Sequence, residues 1–372
     1  MAQQFWLTSN SVSLSGVDIA RLDEEQARTQ LARLRWGAGT QTCPACGAID
    51  RHYDIRSRRQ WRCKACNHTF SVTSGTPFAD FKIGHVRLLL AIFSFVVNQK
   101  GIAALALKRL IGGQYRTSYT LLQKIREAVM LTVSPDQLKG VIEVDGGHFA
   151  GKKRKGRTFK DEVDPAEKVI PIKYRKKGRK QGRKAQHRDK IAPYEFPHHP
   201  NRRIVLVMRE VYPRGTGKGA VRTRVAVIRS ENTADIEALV KRYVAKQSTV
   251  RSDELSAYGN LKLLGYFHET VNHSVEFSTD GGVNQNQAES FFSRMRRAFI
   301  GVYHKITPRY MLDYAYEMAW REDLRRTDTL GQMRDIFRRV CASGRSTDWT
   351  NYGRKGHKRQ VELLFDAGVQ PV

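Results

Sequence analysis

Hydrophobic residues recur at helical spacing in the first third of the chain and form strand-like runs after Pro135. In the segment 23–36, the apolar residues Ala27, Leu31 and Leu34 lie four and three residues apart, and acids crowd the first turn. This spacing puts the apolar residues on one face of a helix, and acids near a helix N-terminus are favoured by its dipole. The segment is therefore predicted to be an amphipathic helix.

Three more helices are predicted between residues 79 and 134. They cover Leu88–Val97, Gly101–Leu110 and Ser118–Val129, and the pair Gly112-Gly113 separates the last two. Three helices with a short glycine turn resemble a helix-turn-helix unit, which places one helix in the major groove of DNA. We expect a DNA-binding region here.

Short apolar runs separated by turn residues predict strands in the second part of the chain. The predicted strands are Val141–Asp145, Arg203–Val211, Ala220–Ile228, Ser248–Asp253 and Phe267–Val271. The predicted helices among and after them are Thr233–Ala245, Gln287–Phe299 and Arg309–Leu324. Three strands followed by alternating helices and strands predict an α/β domain.

Four of the five cysteines form two Cys-x-x-Cys pairs, Cys43 with Cys46 and Cys63 with Cys66. Two such pairs supply four thiolates, the donor set of a tetrahedral Zn²⁺ site that leaves no position open for water. We therefore expect a structural zinc ribbon, with a redox pair as the alternative. Trp61 and Phe70 flank the second pair and are expected to pack a domain that is too small for a core of its own.

The chain carries 65 Lys and Arg against 36 Asp and Glu, a net charge of +29 over 372 residues. Its 40% hydrophobic content argues against a disordered polycation, and such a field attracts polyanions, most often nucleic acid. The alternatives are a cationic protein of the membrane surface and an enzyme with an unusually basic surface. No secretory signal or stretch of about 20 apolar residues is found, so a cytoplasmic protein is expected.

Acids are scarce, and some of them end predicted strands. Asp145 ends one strand and Asp253 another, while Asn286 and Glu289 lie three residues apart on one face of a predicted helix. Carboxylates brought together from these places would bind Mg²⁺ or Mn²⁺, and two such ions can drive phosphodiester transfer. Alternatively, the aspartates form turns and Glu289 caps its helix.

Several motifs in this order resemble the transposases of bacterial insertion sequences of the ISXO type, from about residue 22 to residue 326. The motifs are Leu34-Arg-Trp36 before CPACG, Val144-Asp145, Phe149-Ala-Gly-Lys152, Ser252-Asp253-Glu-Leu-Ser-Ala-Tyr258, Val271-Asn-His-Ser274, Asn286-Gln-Ala-Glu-Ser-Phe-Phe-Ser293 and Gly301-Val-Tyr-His304. The sequence departs from that family in two places: Asp145-Gly146-Gly147 replaces a common Asp-Glu-Thr, and Asn284-Gln285 replaces His-Thr.

The resemblance implies a zinc ribbon joined to a DDE-like domain of the RNase H fold. It implies that Asp145 and Asp253 are the first two ligands of catalytic Mg²⁺ or Mn²⁺. The third is Glu289, which we prefer because a carboxylate neutralises the cation better than an amide, or Asn286. Arg296 lies two helical turns after Glu289, where it could hold a phosphate. Its neighbour Arg297 is expected to contact DNA as well, and His273 either lies near the scissile phosphate or is structural.

The segment from Lys152 to Lys190 contains 17 Lys and Arg against 5 Asp and Glu, a net charge of +12. We interpret it as an insertion beside the first catalytic strand that neutralises DNA phosphates, beginning with Lys152, Lys153 and Arg154. A solvated charge run is the alternative.

The predicted organisation has five parts. They are a helical lead-in (1–40), the zinc ribbon (41–78), the helix-turn-helix-like region (79–134), the catalytic domain with its basic insertion at 152–200 (135–326) and a basic C-terminal tail (327–372).

The expected function is Mg²⁺-dependent cleavage of DNA at terminal inverted repeats and strand transfer to target DNA. Two ends must be joined, so a homodimer or larger assembly on DNA is expected, associated with the bacterial nucleoid. The rivals are a non-enzymatic DNA-binding regulator with a decayed nuclease fold and a structure-selective nuclease.

Overall fold

The N-terminal part of the protein is a small sheet preceded by two helices. The computed structural model describes residues 5–37, 40–79, 81–150, 202–212, 219–270, 286–352, 359 and 361–367. Helices α1 (Gly16–Ala20) and α2 (Glu24–Trp36) lead into antiparallel strands β1 (His52–Ile55), β2 (Gln60–Cys63) and β3 (Thr69–Phe70). The Asp23 side chain accepts hydrogen bonds from the first turn of α2, while Gln26 bonds back to the Asp23 backbone, so α2 begins at a capping box.

The three helices predicted after the ribbon are present as α3 (His85–Val97), α4 (Ala104–Ile111) and α5 (Tyr115–Leu131). Most of α5 is buried from Ser118 to Val129, whereas Tyr115 and Arg116 in its first turn are exposed. A recognition helix must present side chains to a groove. The helix-turn-helix interpretation stays a prediction, and α5 presents mainly its exposed first turn for such a contact.

None of the described helices is both long and apolar enough to span a bilayer. The apolar run in α3 instead lies in the protein core, with Leu88, Leu89, Ile92 and Phe95 each at most 2% exposed.

The α/β domain is built on a five-stranded sheet in the order β6-β5-β4-β7-β8. Its strands are β4 (Val141–Ala150), β5 (Arg202–Val211), β6 (Ala220–Ile228), β7 (Thr249–Ser252) and β8 (Phe267–Thr270). Strand β5 is antiparallel to both β4 and β6, while β4, β7 and β8 are parallel to one another. Consequently β4, β6 and β7 all end at the same edge of the sheet.

Each face of the sheet supports its own hydrophobic core. Helix α6 (Thr233–Tyr243) packs on one face, against Ile142 and Val144 of β4 among others. Helices α7 (Asn286–Ala298) and α8 (Met311–Asp323) cover the other face. That second core is continuous with α2, α3, α5 and the ribbon, so the two parts of the chain are packed together.

Part of the segment expected to be a basic tail is folded. Residues Thr329–Ala342 form helix α9, which buries Met333, Ile336, Phe337 and Val340 against the helical core. Apolar side chains at helical spacing explain this burial despite the surrounding arginines. The domain limits given above are otherwise predictions.

A buried group of charges joins the N-terminal helices to α8. Glu317 on α8 is 1% exposed and accepts hydrogen bonds from Arg126 on α5 at 2.6 Å and from Arg321 at 2.7 Å. Arg321 also donates to the carbonyl oxygen of Phe95 at the end of α3, at 2.7 Å. Burial raises the pKa of Glu317, but the two arginines outweigh it and leave the pKa lowered.

Candidate functional site

The four paired cysteines meet at one point of the ribbon. Their sulfur atoms all lie within 4.8 Å of one another, with Sγ–Sγ distances of 3.7 Å for Cys43–Cys66 and 3.6 Å for Cys46–Cys63. Tetrahedral zinc with Zn–S bonds of about 2.3 Å requires sulfur atoms at about this spacing. The predicted zinc-binding site is therefore confirmed in its residues and its geometry.

The ribbon is stabilised by aromatic packing around this site. Trp61 and Phe70 lie 5.8 Å apart between ring centroids, and Trp36 at the end of α2 contacts both. The guanidinium of Arg28 on α2 lies 3.9 Å from the Trp61 ring and pairs with Asp54 on β1 at 2.6 Å. Helix α2 thus forms one face of the ribbon.

The two predicted catalytic aspartates lie where the pairing of the parallel strands β4 and β7 ends. The prediction that the strand itself ends at Asp145 was wrong, because β4 continues alongside β5 to Ala150. The last paired residues of β4 and β7 are Glu143 and Arg251, and Asp145 and Asp253 each lie two residues further along the chain, so both aspartates lie just beyond this pairing. Both are half-buried. The Asp253 carboxylate accepts a hydrogen bond from the backbone N–H of Leu255 at 3.2 Å, which turns the chain sharply after β7.

Helix α7 is attached to strand β4 through a buried carboxylate. Glu143 is 2% exposed, and its Oε2 accepts hydrogen bonds from the backbone N–H groups of Gln287 at 2.8 Å and Ala288 at 3.0 Å. These are first-turn N–H groups of α7 with no partner inside the helix, and the positive end of the helix dipole favours a carboxylate there. Arg209, opposite Glu143 on β5, donates to the carbonyl oxygen of Gln287.

A second contact between β4 and α7 lies beyond Asp145. A Cβ atom on Gly147 would lie 2.3 Å from the Phe292 ring, so this glycine allows the helix to approach the strand closely. Along β4, Asp145 lies between Glu143 and Gly147. On α7, Glu289 lies between Ala288 and Phe292, the residues that these two contact, and its side chain is exposed.

Glu231 is an acidic residue at this edge of the sheet that the sequence analysis missed. It lies three residues after the end of β6, and its side chain is 14% exposed. A Cβ atom on Gly146 would lie 1.7 Å from Glu231 Oε1, so the carboxylate rests against the strand next to Asp145. Burial and the charges of Asp253 and Asp145 raise the pKa of Glu231 to about 7. The three acids therefore share one electrostatic environment.

His148 on β4 contacts the same acid. Arg202 donates from Nε to His148 Nδ1 at 3.1 Å, which makes Nδ1 an acceptor and places the proton of the neutral ring on Nε2. His148 Nε2 lies 3.7 Å from Glu231 Oε2. Burial, and then the charges of Arg202 and Arg296, lower the pKa of His148, so Arg296 contributes its charge to this side of the site.

The family of the chain follows from comparison with family models. The model of the ISXO2-like transposase domain matches residues 137–323, half of the chain, and that of the transposase zinc-ribbon domain matches residues 22–69. The chain belongs to the ISXO2-like transposase family. No curated protein and no solved structure matches it. The resemblance inferred from the motifs and the zinc ribbon with an α/β domain are confirmed.

Not all predicted site residues of this transposase can be placed. His273 and the basic residues Lys152, Lys153 and Arg154 lie outside the described residues, as does the rest of the segment up to Lys190. Asn286 begins α7, where only its backbone is described. Arg297 is exposed on α7 and donates to the Ser293 hydroxyl at 2.8 Å.

The structure gives a physical reason for the glycine pair that replaces the family's common Glu-Thr. Gly146 leaves space for the Glu231 carboxylate, and Gly147 leaves space for Phe292. Among the described residues the cysteines are the one group of three or more metal-binding side chains with ligand atoms within 4.8 Å of one another. Asp145, Asp253 and Glu231 lie further apart than the cysteine sulfurs but influence one another electrostatically, and their carboxylate oxygens are the donor type that Mg²⁺ prefers.

We predict that Glu231→Gln stabilises the protein in a pH-dependent way. The pKa of Glu231 rises from 4.5 to about 7 on folding, so its contribution is complete below about pH 4.5 and is lost as pH rises through about 7. Without Mg²⁺ or Mn²⁺, the variant should gain about 2 kcal/mol over the wild type at pH 8 and little at pH 4.5. Urea unfolding at several pH values measures this, with Glu254→Gln as the exposed control. An equal gain at both pH values would contradict it.

Proposed function

We propose that this chain is an active transposase that cuts DNA at the ends of its own element and joins the freed 3′-hydroxyl to target DNA. The observation that carries the proposal is the position of Asp145 and Asp253, each two residues beyond the last pair between the adjacent parallel strands β4 and β7, in a domain of the ISXO2-like transposase family. Both strands lie inside the sheet, where the backbone that positions the two carboxylates is held on both sides.

The proposed ligands of the catalytic ions are Asp145, Asp253 and Glu289, with Asn286 as the alternative third ligand. When bound, Mg²⁺ or Mn²⁺ would activate the attacking hydroxyl and stabilise the leaving 3′-oxygen. The acids fit such ions in donor type, because hard divalent cations prefer carboxylate oxygens. The raised pKa of Glu231 supports this, since besides burial it reflects negative charge from Asp253 and Asp145 that a cation would neutralise.

The surrounding residues hold the proposed site together and supply positive charge. Glu143 fixes the first turn of α7, and with it Glu289, against the strand that carries Asp145. Arg296 lies seven residues after Glu289 on the same helix, where its guanidinium would bind a phosphate of the substrate. We assign His148 a positioning role, because its Nε2–H faces Glu231.

The zinc ribbon and the tip between α4 and α5 are proposed to bind the inverted repeats. The ribbon exposes Arg51, Arg58, Arg62 and Lys64, and the tip exposes Arg109 and Arg116. Exposed cations of this kind bind DNA phosphates and set the register of a protein on the duplex. Because two ends must be joined, we propose that at least two copies act together on DNA.

Two other functions remain as rivals of this proposal. A DNA-binding regulator would bind the ends without cutting them. A structure-selective nuclease would cut branched DNA whether or not it carried the ends of the element. Cleavage assays with end-containing, scrambled and branched DNA separate the three.

The carboxylates of Asp145 and Asp253 are both expected to be essential. Asp145→Asn or Asp253→Asn should reduce strand transfer by at least about a hundredfold, because each removes a charged ligand from ions that supply several kcal/mol of transition-state stabilisation. The assay uses end-containing DNA with Mg²⁺, and Asp136→Asn, which is exposed, is the control. Near wild-type activity in either variant would refute the mechanism.

Separate variants decide between the two candidates for the third ligand. We expect Glu289→Gln to reduce strand transfer at least about tenfold more than Asn286→Ala, because it removes a charge that neutralises the cation. Replacing Mg²⁺ by Mn²⁺, which binds less demanding sites, should restore part of the activity of Glu289→Gln. The opposite order of losses would assign the third position to Asn286.

A further inference from the structure

A cleft with a volume of about 460 Å³ lies between α7, α8, the end of α3 and the N-terminal turn at Phe5–Leu7. Its walls are strongly cationic. The cations that line it are Lys100, Arg294, Arg297, Arg321, Arg325 and Arg326. The aromatic side chains of Phe5, Trp6 and Trp320 complete the lining.

One buried carboxylate in this cleft is shared by several arginines. Glu322 is 2% exposed and lies within 4.0 Å of Arg294, Arg325 and the buried Arg209. Arg209 also faces Glu143 and Asp323, so Glu322 is the carboxylate shared in the cleft by Arg294 and Arg325. Burial lowers the pKa of Arg325, and although Glu322 opposes this, Arg209, Arg294 and Arg326 lower it further. Positive charge is therefore in excess inside the cleft as well as at its mouth.

Three of the lining cations are exposed at the opening of the cleft. Lys100 follows α3, Arg297 is on α7, and Arg326 follows α8. In the part of the chain that the structure describes, neither Lys100 nor Arg297 has a carboxylate within 4.0 Å. The three therefore line one opening from three different elements, an arrangement that suits an extended anion better than a single small one.

The cleft and the acids lie beside each other on the surface of α7. At about 100° per residue, Arg296 falls almost in line with Glu289, and Arg297 and then Arg294 follow around the helix toward the cleft. The charge of Arg296 lowers the pKa of His148 at the candidate active site, whereas Arg294 and Arg297 line the cleft. Positively charged side chains thus continue from the candidate active site across α7 into the cleft.

We propose that this cleft binds backbone phosphates of the DNA strand that crosses α7 from the active site. The inference rests on the proposed function only in naming that strand as the enzyme's substrate. Guanidinium groups pair with phosphate oxygens, and the aromatic rings at the N-terminal turn offer surfaces on which a base can stack. The proposal assigns the N-terminal residues Phe5 and Trp6 to the DNA-binding surface.

The test compares the salt dependence of DNA binding between two triple variants of the full-length protein. Lys100→Gln/Arg297→Gln/Arg326→Gln removes the exposed cations of the cleft, and Lys241→Gln/Arg242→Gln/Lys262→Gln removes three exposed cations on the opposite side of the sheet. The probe is a 30-nucleotide single strand, measured by fluorescence anisotropy without Mg²⁺ or Mn²⁺ so that no cleavage occurs. Inorganic tripolyphosphate is the competing small anion.

The cleft variant should lower the slope of log K against log salt by about two units, close to 0.7 for each lost phosphate contact, while the control keeps the wild-type slope. An unchanged slope in the cleft variant, or an equal fall in the control, would overturn the proposal. So would tripolyphosphate binding that needs the three cations while the DNA slope stays the same. The slope is measured without catalysis, so its result is independent of whether Asp145 and Asp253 prove essential.

Discussion

The carboxylate of Glu143 is the interaction on which the arrangement of the candidate active site depends. It is buried in the strand that carries Asp145, and it accepts hydrogen bonds from N–H groups in the first turn of the helix that carries Glu289. Burial of a charge is costly unless it is paired and hydrogen-bonded. Here two helix N–H groups donate to the carboxylate, and the positive charge of Arg209 on the neighbouring strand favours it. One residue thereby sets the position of a helix relative to a strand that is distant in sequence.

The net charge of +29 is unevenly distributed over the protein. Acids gather where Asp145, Asp253 and Glu231 influence one another, and arginines gather around Glu322 further around α7. A protein that binds DNA uniformly has no need for this separation. The separation fits an enzyme that attracts a polyanion over a wide surface and keeps one small region negative for cations.

Features encoded by local spacing could be predicted from the sequence, whereas those made by distant residues could not. The cysteine pairs fix the zinc site within a few tens of residues. Acids after apolar runs pointed to Asp145 and Asp253 as candidate ligands, although β4 continues past Asp145 to Ala150. Glu231 also follows a strand that ends at the same edge, so the same reasoning applied to β6 would have found it. Helix α9 was missed because its arginines obscured an apolar face at helical spacing. The bond from Glu143 to α7 spans 144 residues and leaves no local signal.

The most direct test of this account is the cleavage rate of Glu143→Gln at saturating end-containing DNA. The substitution keeps the shape of the side chain but removes the charge that holds α7. Since a displacement of about 1 Å can cost a hundredfold in rate, we predict a loss of tenfold to a hundredfold with unchanged DNA affinity and an intact circular dichroism spectrum. Glu210→Gln, which removes a carboxylate on the neighbouring strand, should cleave normally. A folded Glu143→Gln protein that cleaves at the wild-type rate would contradict the account.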